Sequence, residues 1–443
     1  MTEELLPVAY AGVDWAMEKH DVCILDPGGK IVGEKAFAAD AAGLAAMADW
    51  LIAHGAASAD RIAVAIEVPH GPVVEALLER GFAVHSINPK QLDRFRDRFS
   101  AAGAKDDRRD ARVLADSLRT DGRAYRRVAN DDPDTINLRE WSRMTADLTQ
   151  ESTLLCNRAR QQLLRFFPQV LELDDDVGAK WILAILEAVP SPADAKKRRA
   201  STIQAILKDH RIRRWKADEV LKILRKPALV VAPGTVDAAT GHLRLLIARI
   251  RLVRSQLDEC HAMLDEICGR LDAVTDTPVA GGADGTSGAD AKSATGTGGA
   301  AEVEGRKNGP RDVEILLSLP GVGRIVAASL LAEASRPLRD RDYQAMRTLC
   351  GIAPVTKRSG KSCVVGMRAA CNPRLRNVTY HWARIAAQCD AGWKARYAAL
   401  RGRGCSHGRA CRGVADSLLR VAVAMLRSGT LYDATRSRAK VAA

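Results

Sequence analysis

Between Gly281 and Ala300 the chain carries seven glycines and no isoleucine, leucine, valine or aromatic residue. Such a stretch buries too little apolar surface to offset the entropy of ordering it, so it predicts a flexible Gly/Ala linker over residues 280–310. The chain is therefore expected to fold around separate cores. Its 443 residues exceed one ordinary domain, and 47% of them are hydrophobic, enough for such cores without disulfide staples. The expected blocks are residues 1–128, 129–279 and 311–443.

The first block alternates strand and helix patterns. Val8–Ala16, His20–Asp26 and Ile31–Phe37 read as three strands in hairpin order, with Asp26-Pro27-Gly28-Gly29 as the second turn. An Ala-rich amphipathic helix over Ala41–His54 follows, then a strand Ile62–Val68, a helix Pro72–Arg80 and a strand Phe82–Ile87. Five strands with helical crossovers make a mixed-sheet α/β domain. From Asp134, read as an N-cap, the pattern changes to long helices, one running toward Phe167 and another over Ala239–Leu271. These predict a helical or coiled-coil domain. Beyond the linker the periodicity is again mainly helical, so the overall class is α/β plus α.

The first thirty residues carry Glu3 and Glu4 and no apolar stretch with a cleavage site, unlike a secretory signal. No run approaches the roughly 18 apolar residues of a membrane span, so the chain reads as cytoplasmic with no membrane partner. Ten scattered cysteines form no C-x-x-C pair and no zinc-site spacing, and are expected to be reduced. The formal charge is +13, polarised as −6 over residues 1–100 and +16 over 341–443. A positive excess of that kind favours a polyanionic partner, nucleic acid foremost.

Acidic residues stand at particular places in the first block. Asp14 ends the first strand, Glu67 ends the fourth, and Asp107 and Asp110 open a helix running to about Leu118. A spacing of three puts Asp107 and Asp110 on one helix face. Carboxylates that converge repel one another unless a cation joins them, and hard oxygen donors select Mg²⁺ or Mn²⁺. Two such ions can stabilise the attacking and leaving oxygens of a phosphoryl displacement. Taken singly, each acid is also an ordinary helix-start or strand-end residue.

The order strand-Asp14, strand-Glu67, Asn88-Pro89 and Lys105-x-Asp107-x-x-Asp110-Ala111 resembles the RuvC-like (RNase H-like) DEDD domain of the bacterial insertion-sequence transposases of the one-ten and eleven-eleven group. The family usually has threonine where this chain has Asp106. The extra acid leaves Asp106 and Asp107 as alternatives for one ligand, and the spacing to Asp110-Ala111 favours Asp107.

A second set of motifs lies beyond the linker. Leu319-Pro320-Gly321-Val322-Gly323 before an apolar helix has the form of a helix-hairpin-helix turn, in which glycine lets backbone N–H groups approach a phosphate. Further on, Pro354 leads into Thr356-Lys357-Arg358-Ser359-Gly360-Lys361, then Asn372-x-x-Leu375-Arg376. This resembles the C-terminal transposase domain of the same family, whose Pro-x-x-x-x-Ser-Gly motif implies Ser359 as nucleophile. A serine needs a base or metal to activate it. Lys357, Arg358 and Lys361 are candidate ligands of the scissile phosphate, and Gly321, Gly323, Arg368, Arg374 and Arg376 complete the candidate nucleic-acid contacts. Gly360-Lys361-Ser362 is not a P-loop, since Val355 stands where the first glycine is required. Cys371 departs from the family's usual glycine before the asparagine. The basic runs Lys196–Arg199 and Arg211–Lys216 read as solvated helix faces, and Trp181, Trp382 and Trp393 as core.

The resemblance implies a DNA transposase or recombinase with a covalent phosphoserine intermediate and metal at Asp14, Glu67, Asp107 and Asp110. It further implies donor and target DNA and a structured bridge RNA as partners, with dimers assembling into a tetramer. Rival readings are a RuvC-like junction nuclease using water, a non-catalytic nucleic-acid-binding protein, and an actin-like ATPase, for which no second phosphate loop is found.

Overall fold

The computed structural model describes residues 6–55, 58–99, 107–128, 131–273, 310–360 and 362–434. Asp106, Lys361 and the expected linker up to residue 309 lie outside the described residues. The chain divides into two compact units, with the boundary between Asp131 and Asp132.

The first unit is a six-stranded mixed sheet. Its strands are β1 (Ala9–Trp15), β2 (Lys19–Leu25), β3 (Ile31–Ala38), β4 (Ile62–Ile66), β5 (Ala83–Ser86) and β6 (Arg126–Arg127), in the spatial order β3-β2-β1-β4-β5-β6. β1, β2 and β3 form an antiparallel meander, β4 and β5 run parallel to β1, and β6 closes the edge antiparallel to β5. The parallel strands need crossovers, which α1 (Ala41–Gly55) and α2 (Pro72–Glu79) supply. Met47, Leu51, Val73, Val74 and Leu77 from these helices cover one sheet face. Two further helices follow β5: α3 (Pro89–Phe99) and α4 (Asp107–Asp121). Leu92, Val113, Leu114 and Leu118 from them join a core containing Ala63 and Ala65 of β4. This mixed sheet fits the RuvC-like DEDD domain.

Two elements differ from the sequence expectation of five strands. β6 is only two residues long, too short to show alternation. α3 has few apolar residues in a charged run, so its helical face carries little signal. Its start was nevertheless written in Asn88-Pro89, with the Asn88 side chain accepting from the Lys90 N–H at 3.0 Å.

The second unit begins with α5 (Pro133–Phe166), capped by Asp132 accepting from the Thr135 N–H at 2.9 Å. Asp134, expected as the cap, lies in the first turn instead and pairs with Arg270 at 3.2 Å. Four short helices, α6 (Lys180–Ala188), α7 (Pro192–Lys197), α8 (Ala200–Asp209) and α9 (Ala217–Leu224), lead to α10 (Pro233–Ala273). α10 returns antiparallel along α5, as the Arg270–Asp134 and Arg249–Glu151 pairs require. The helices α11 (Asp312–Leu317), α12 (Arg324–Glu333), α13 (Ser335–Arg339) and α14 (Tyr343–Leu349) precede a hairpin of β7 (Val355–Ser359) and β8 (Ser362–Gly366). α15 (Pro373–Cys389), α16 (Ala391–Gly402) and α17 (His407–Ser428) complete the unit. Trp382 and Trp393 are buried among these last helices, and Trp181 in the cluster at the far end of α5. The hairpin is an addition to the expected helical block.

The C-terminal helices are fastened to α5 by a buried polar network. Arg143 on α5 pairs with Glu333 on α12 at 2.7 Å, and Glu333 accepts from the Asn372 side chain at 2.8 Å. Asn372 in turn caps α15. Burial pushes the Glu333 carboxyl up, but Arg143, Asn372 and Arg139 outweigh that and hold it below its ordinary range. All ten cysteines are free. No helix among the described residues is long and apolar enough to cross a membrane.

Candidate active site

The carboxylate site follows from one strand register and one missing side chain. β1 and β4 are parallel with Val13 opposite Ile66, so Asp14 and Glu67 lie side by side at the C-terminal ends of these strands. Gly12 lies one turn of the pleat behind Asp14. A Cβ there would come within 1.9 Å of the Ala111 carbonyl oxygen and 2.6 Å of the Ala115 nitrogen. The glycine therefore lets α4 lie directly on β1, and this contact brings the first turn of α4 over the strand end. Asp107 and Asp110 are in that turn, Asp110 buried and Asp107 exposed.

Asp14 lies within reach of the charges of the other three acids. The Asp14 carboxyl is pushed up from its ordinary 3.8 to about 6, first by burial and then by the charges of Asp110 and Asp107, with a smaller contribution from Glu67. Arg96 opposes this shift. From α3 its guanidinium forks onto Asp110, with Nε to Oδ1 at 2.8 Å and Nη2 to Oδ2 at 2.9 Å. The same group reaches Asp93 at 2.7 Å and stands 4.0 Å from Glu67. Lys19 supplies a second cation, 2.8 Å from the buried Asp21 and 3.8 Å from Asp107.

Asp21, Lys19 and Arg96 were not singled out in the sequence. Asp21 is opposite Asp14 in the β1–β2 register, so the hairpin pairing was its signal. Arg96 had none beyond its place in a charged run ahead of the DEDD helix. Among the described residues no group of three His, Cys, Asp or Glu side chains converges closely enough to hold an ion. Arg96 reaches both Asp110 and Glu67. The donor chemistry, four carboxylates with the half-buried Asp14 among them, suits a hard divalent cation.

Ser359 belongs to the other unit, as the last residue of β7. Ser359 pairs with Ser362, and Gly360 beyond it takes the left-handed φ of 54° that glycine adopts without strain. Alternation places Ser359, Lys357 and Val355 on one face of β7, and Arg358 and Thr356 on the other. Lys357 thus shares the serine's face, and Arg358 does not. Both strands are exposed along their length. Among the described residues the Ser359 hydroxyl has no hydrogen-bond partner.

The remaining candidate contacts have separate surroundings. Gly321 has φ of 79°, and a Cβ there would meet the Ala386 nitrogen at 2.7 Å, so its requirement for glycine comes from packing on α15. Gly323 caps α12 in open space. Arg374 is engaged by α5, donating to the Arg143 carbonyl and to Asp147, each at 3.3 Å. Arg368 donates to the Ala353 carbonyl at 3.3 Å at the hairpin root. Arg376 lines a cavity beside that root. In the middle helices the Trp215 indole donates to the Leu173 carbonyl at 3.2 Å and packs against the core.

Residues 11–168 match a family model described as a transposase of the DEDD type, and residues 313–398 match one described as transposase, IS116/IS110/IS902 family. The mini-circle protein of IS117 from Streptomyces coelicolor, named for transposition, is 31% identical over 426 residues, covering 95% of this chain and 94% of that protein. The 43.6 kDa protein of insertion element IS110 from the same organism is 25% identical over 96% of this chain and 95% of its own length. Over 209 residues the y4uE protein of Sinorhizobium fredii, also named for transposition, is 57% identical. That match spans 47% of this chain and 58% of the relative.

Proposed function

This chain belongs to the IS110/IS116 family of transposases and is a DNA-cutting and rejoining enzyme, and from that premise we propose that Ser359 cuts DNA by forming a covalent phosphoserine link. The observation that carries the proposal is Ser359 at the end of an exposed hairpin strand with Lys357 on its face, inside the segment 313–398 that matches the transposase family model. The metal part rests on Asp14, whose carboxyl is raised first by burial and then by the charges of Asp110 and Asp107. A DEDD domain is generally dependent on divalent metal, and here Mg²⁺ or Mn²⁺ would be held by these four carboxylates. Such an ion supplies charge for the phosphate oxygens when bound.

The chain's own residues do the remainder. Lys357, on the face of β7 that carries Ser359, binds a non-bridging oxygen of the scissile phosphate and orients it. The Ser359 Oγ forms a bond to phosphorus, the bond from phosphorus to one sugar oxygen breaks, and the freed sugar hydroxyl takes up the proton that the serine gives up. Attack by a hydroxyl of another strand reverses the step and releases the serine, so the ends are rejoined without loss of bond energy. Arg358, on the opposite face, and Lys361 contact neighbouring phosphates.

The same reading includes guidance by a structured bridge RNA and assembly of dimers into a tetramer, with donor and target DNA as substrates. A metal-dependent junction nuclease using water is the second reading, and the lack of a hydrogen-bond partner at Ser359 among the described residues is what favours it. Purified protein with Ser359→Ala separates the two. The proposal expects no cleavage and no covalent adduct on a nicked suicide DNA; cleavage at the wild-type rate would establish the nuclease.

A further inference from the structure

Beside the root of the serine hairpin is a cavity of about 340 Å³, within the size range of small-ligand sites. Its apolar walls include Ile352 and Met367, which flank the two hairpin strands, and its polar edge holds Arg376, Asn377, Tyr380 and Arg412. The two arginines are half-buried. Among the described residues neither has a carboxylate partner, and Arg412 makes only a 3.5 Å contact to the Met367 sulfur. Two half-buried guanidinium groups without counter-charges are poised for an anion with two or more oxygens. The nearby carboxylate of Asp416 does not serve, since it is held by Arg347 at 2.6 Å and Tyr343 at 2.7 Å.

The aromatic wall is fixed in place. The Tyr380 hydroxyl is 3.0 Å from Nε2 of His407, whose Nδ1 is 2.8 Å from the Tyr397 hydroxyl. A ring pinned at its hydroxyl by a second pinned group presents its face without further loss of side-chain entropy. Such a platform suits a flat heterocycle. Asn377 lies exposed on the same helix with no side-chain hydrogen bond among the described residues, and its amide is a donor and acceptor for a base edge.

We propose that this cavity is a nucleotide site, taking one unstacked base of the DNA strand with its base on Tyr380 and its phosphate on Arg376 and Arg412. The inference rests on the DNA-cutting reading and adds the substrate feature that this site would recognise. The four steps of β7 from Val355 to Ser359 span about 13 Å at roughly 3.3 Å per residue. That corresponds to about four base steps of duplex rise, and fewer of a stretched strand. The captured nucleotide therefore lies within a few positions of the bond that Ser359 attacks, where extrusion from the stack is cheapest in an already opened strand.

The test is photo-cross-linking of the full chain to a single-stranded DNA oligonucleotide carrying 5-iodouracil, with binding followed separately by fluorescence anisotropy. The expected result is a principal cross-link at Tyr380, mapped by peptide mass spectrometry. Arg376→Gln removes a guanidinium that has no protein partner, and should leave the melting temperature unchanged while lowering the cross-link yield about tenfold, the loss expected for one charge-assisted contact. Asn377→Ala, at an exposed position, is a second variant and should lower the yield several-fold. Tight binding with cross-links confined to other peptides would overturn the nucleotide site and leave the transposase reading standing. A Tyr380 cross-link obtained with RNA alone would overturn the assignment to DNA. Failure to bind any DNA would overturn both.

Discussion

Replacing Asp14 by asparagine should stabilise the first unit when divalent metal is absent. The Asp14 carboxyl is displaced from its ordinary 3.8 to about 6 by burial and by the charges of Asp110, Asp107 and Glu67. At about 1.4 kcal/mol per decade this is about 3 kcal/mol of unfavourable free energy for the ionised form. Because the side chain is only half-buried, water and salt screen part of it, leaving about 1–2 kcal/mol. The sign follows from the proton balance. A carboxyl raised on folding binds more protons in the folded state between pH 4 and 6, so wild-type stability falls across that window and the penalty is complete above pH 6. Asp14→Asn removes it. Hydrogen exchange of the β1 and α4 amides in chelator measures the local opening free energy directly, without assuming that both units unfold together. The expected gain at pH 7.5 is about 1–2 kcal/mol, and less than half of that at pH 4.5. Millimolar Mg²⁺ should stabilise wild type by mass action and the variant far less. A variant that is equally or less stable in chelator at pH 7.5, or whose gain is independent of pH, would refute the claim that burial and the neighbouring acids penalise the ionised Asp14.

Other perturbations test separate parts of the account. Arg96→Met frees Asp110 and Glu67 from their guanidinium, so calorimetric titration should find divalent-ion affinity raised about tenfold over wild type, and equal or weaker affinity would show that Arg96 does not compete for the site. Glu333→Gln breaks a partly buried ion pair and leaves Arg143 only Glu140 at 3.3 Å; urea unfolding of the second unit should show a loss of about 2 kcal/mol, less than for a fully buried pair. Lys357→Ala and Arg358→Ala should each flatten the salt dependence of DNA binding by about one ion. Only Lys357→Ala should also slow cleavage at saturating DNA, since only Lys357 shares the face of Ser359.

Much of the first unit was legible because its strands alternate cleanly and its turns carry Gly and Pro. The strand ends at Asp14 and Glu67 followed directly from that pattern. What the pattern could not contain was contact between distant elements. Gly12 reads as an unremarkable strand residue until α4 is placed on it, and the position of Asp107 and Asp110 depends on that contact. Asp21 required the register of the hairpin, and Arg96 required a helix whose sequence is nearly all charged. In the second unit, the hairpin carrying Ser359 was missed because both strands are exposed, so burial imposes no alternation between apolar and polar positions. The Gly-x-Gly turn was found, yet Gly321 proves to be needed for packing against α15, which spacing alone does not reveal.

The central claim is that Ser359 becomes covalently attached to DNA during cutting. Its most direct test is mass spectrometry of the peptide containing Ser359 after reaction with the element's own end sequence, its flanking transcript and Mg²⁺, followed by nuclease trimming. The account predicts a nucleotide mass on Ser359 in wild type, and none in Ser359→Ala or in Asp14→Asn. Efficient cleavage with an unmodified Ser359 peptide, or an adduct on another residue, would contradict it.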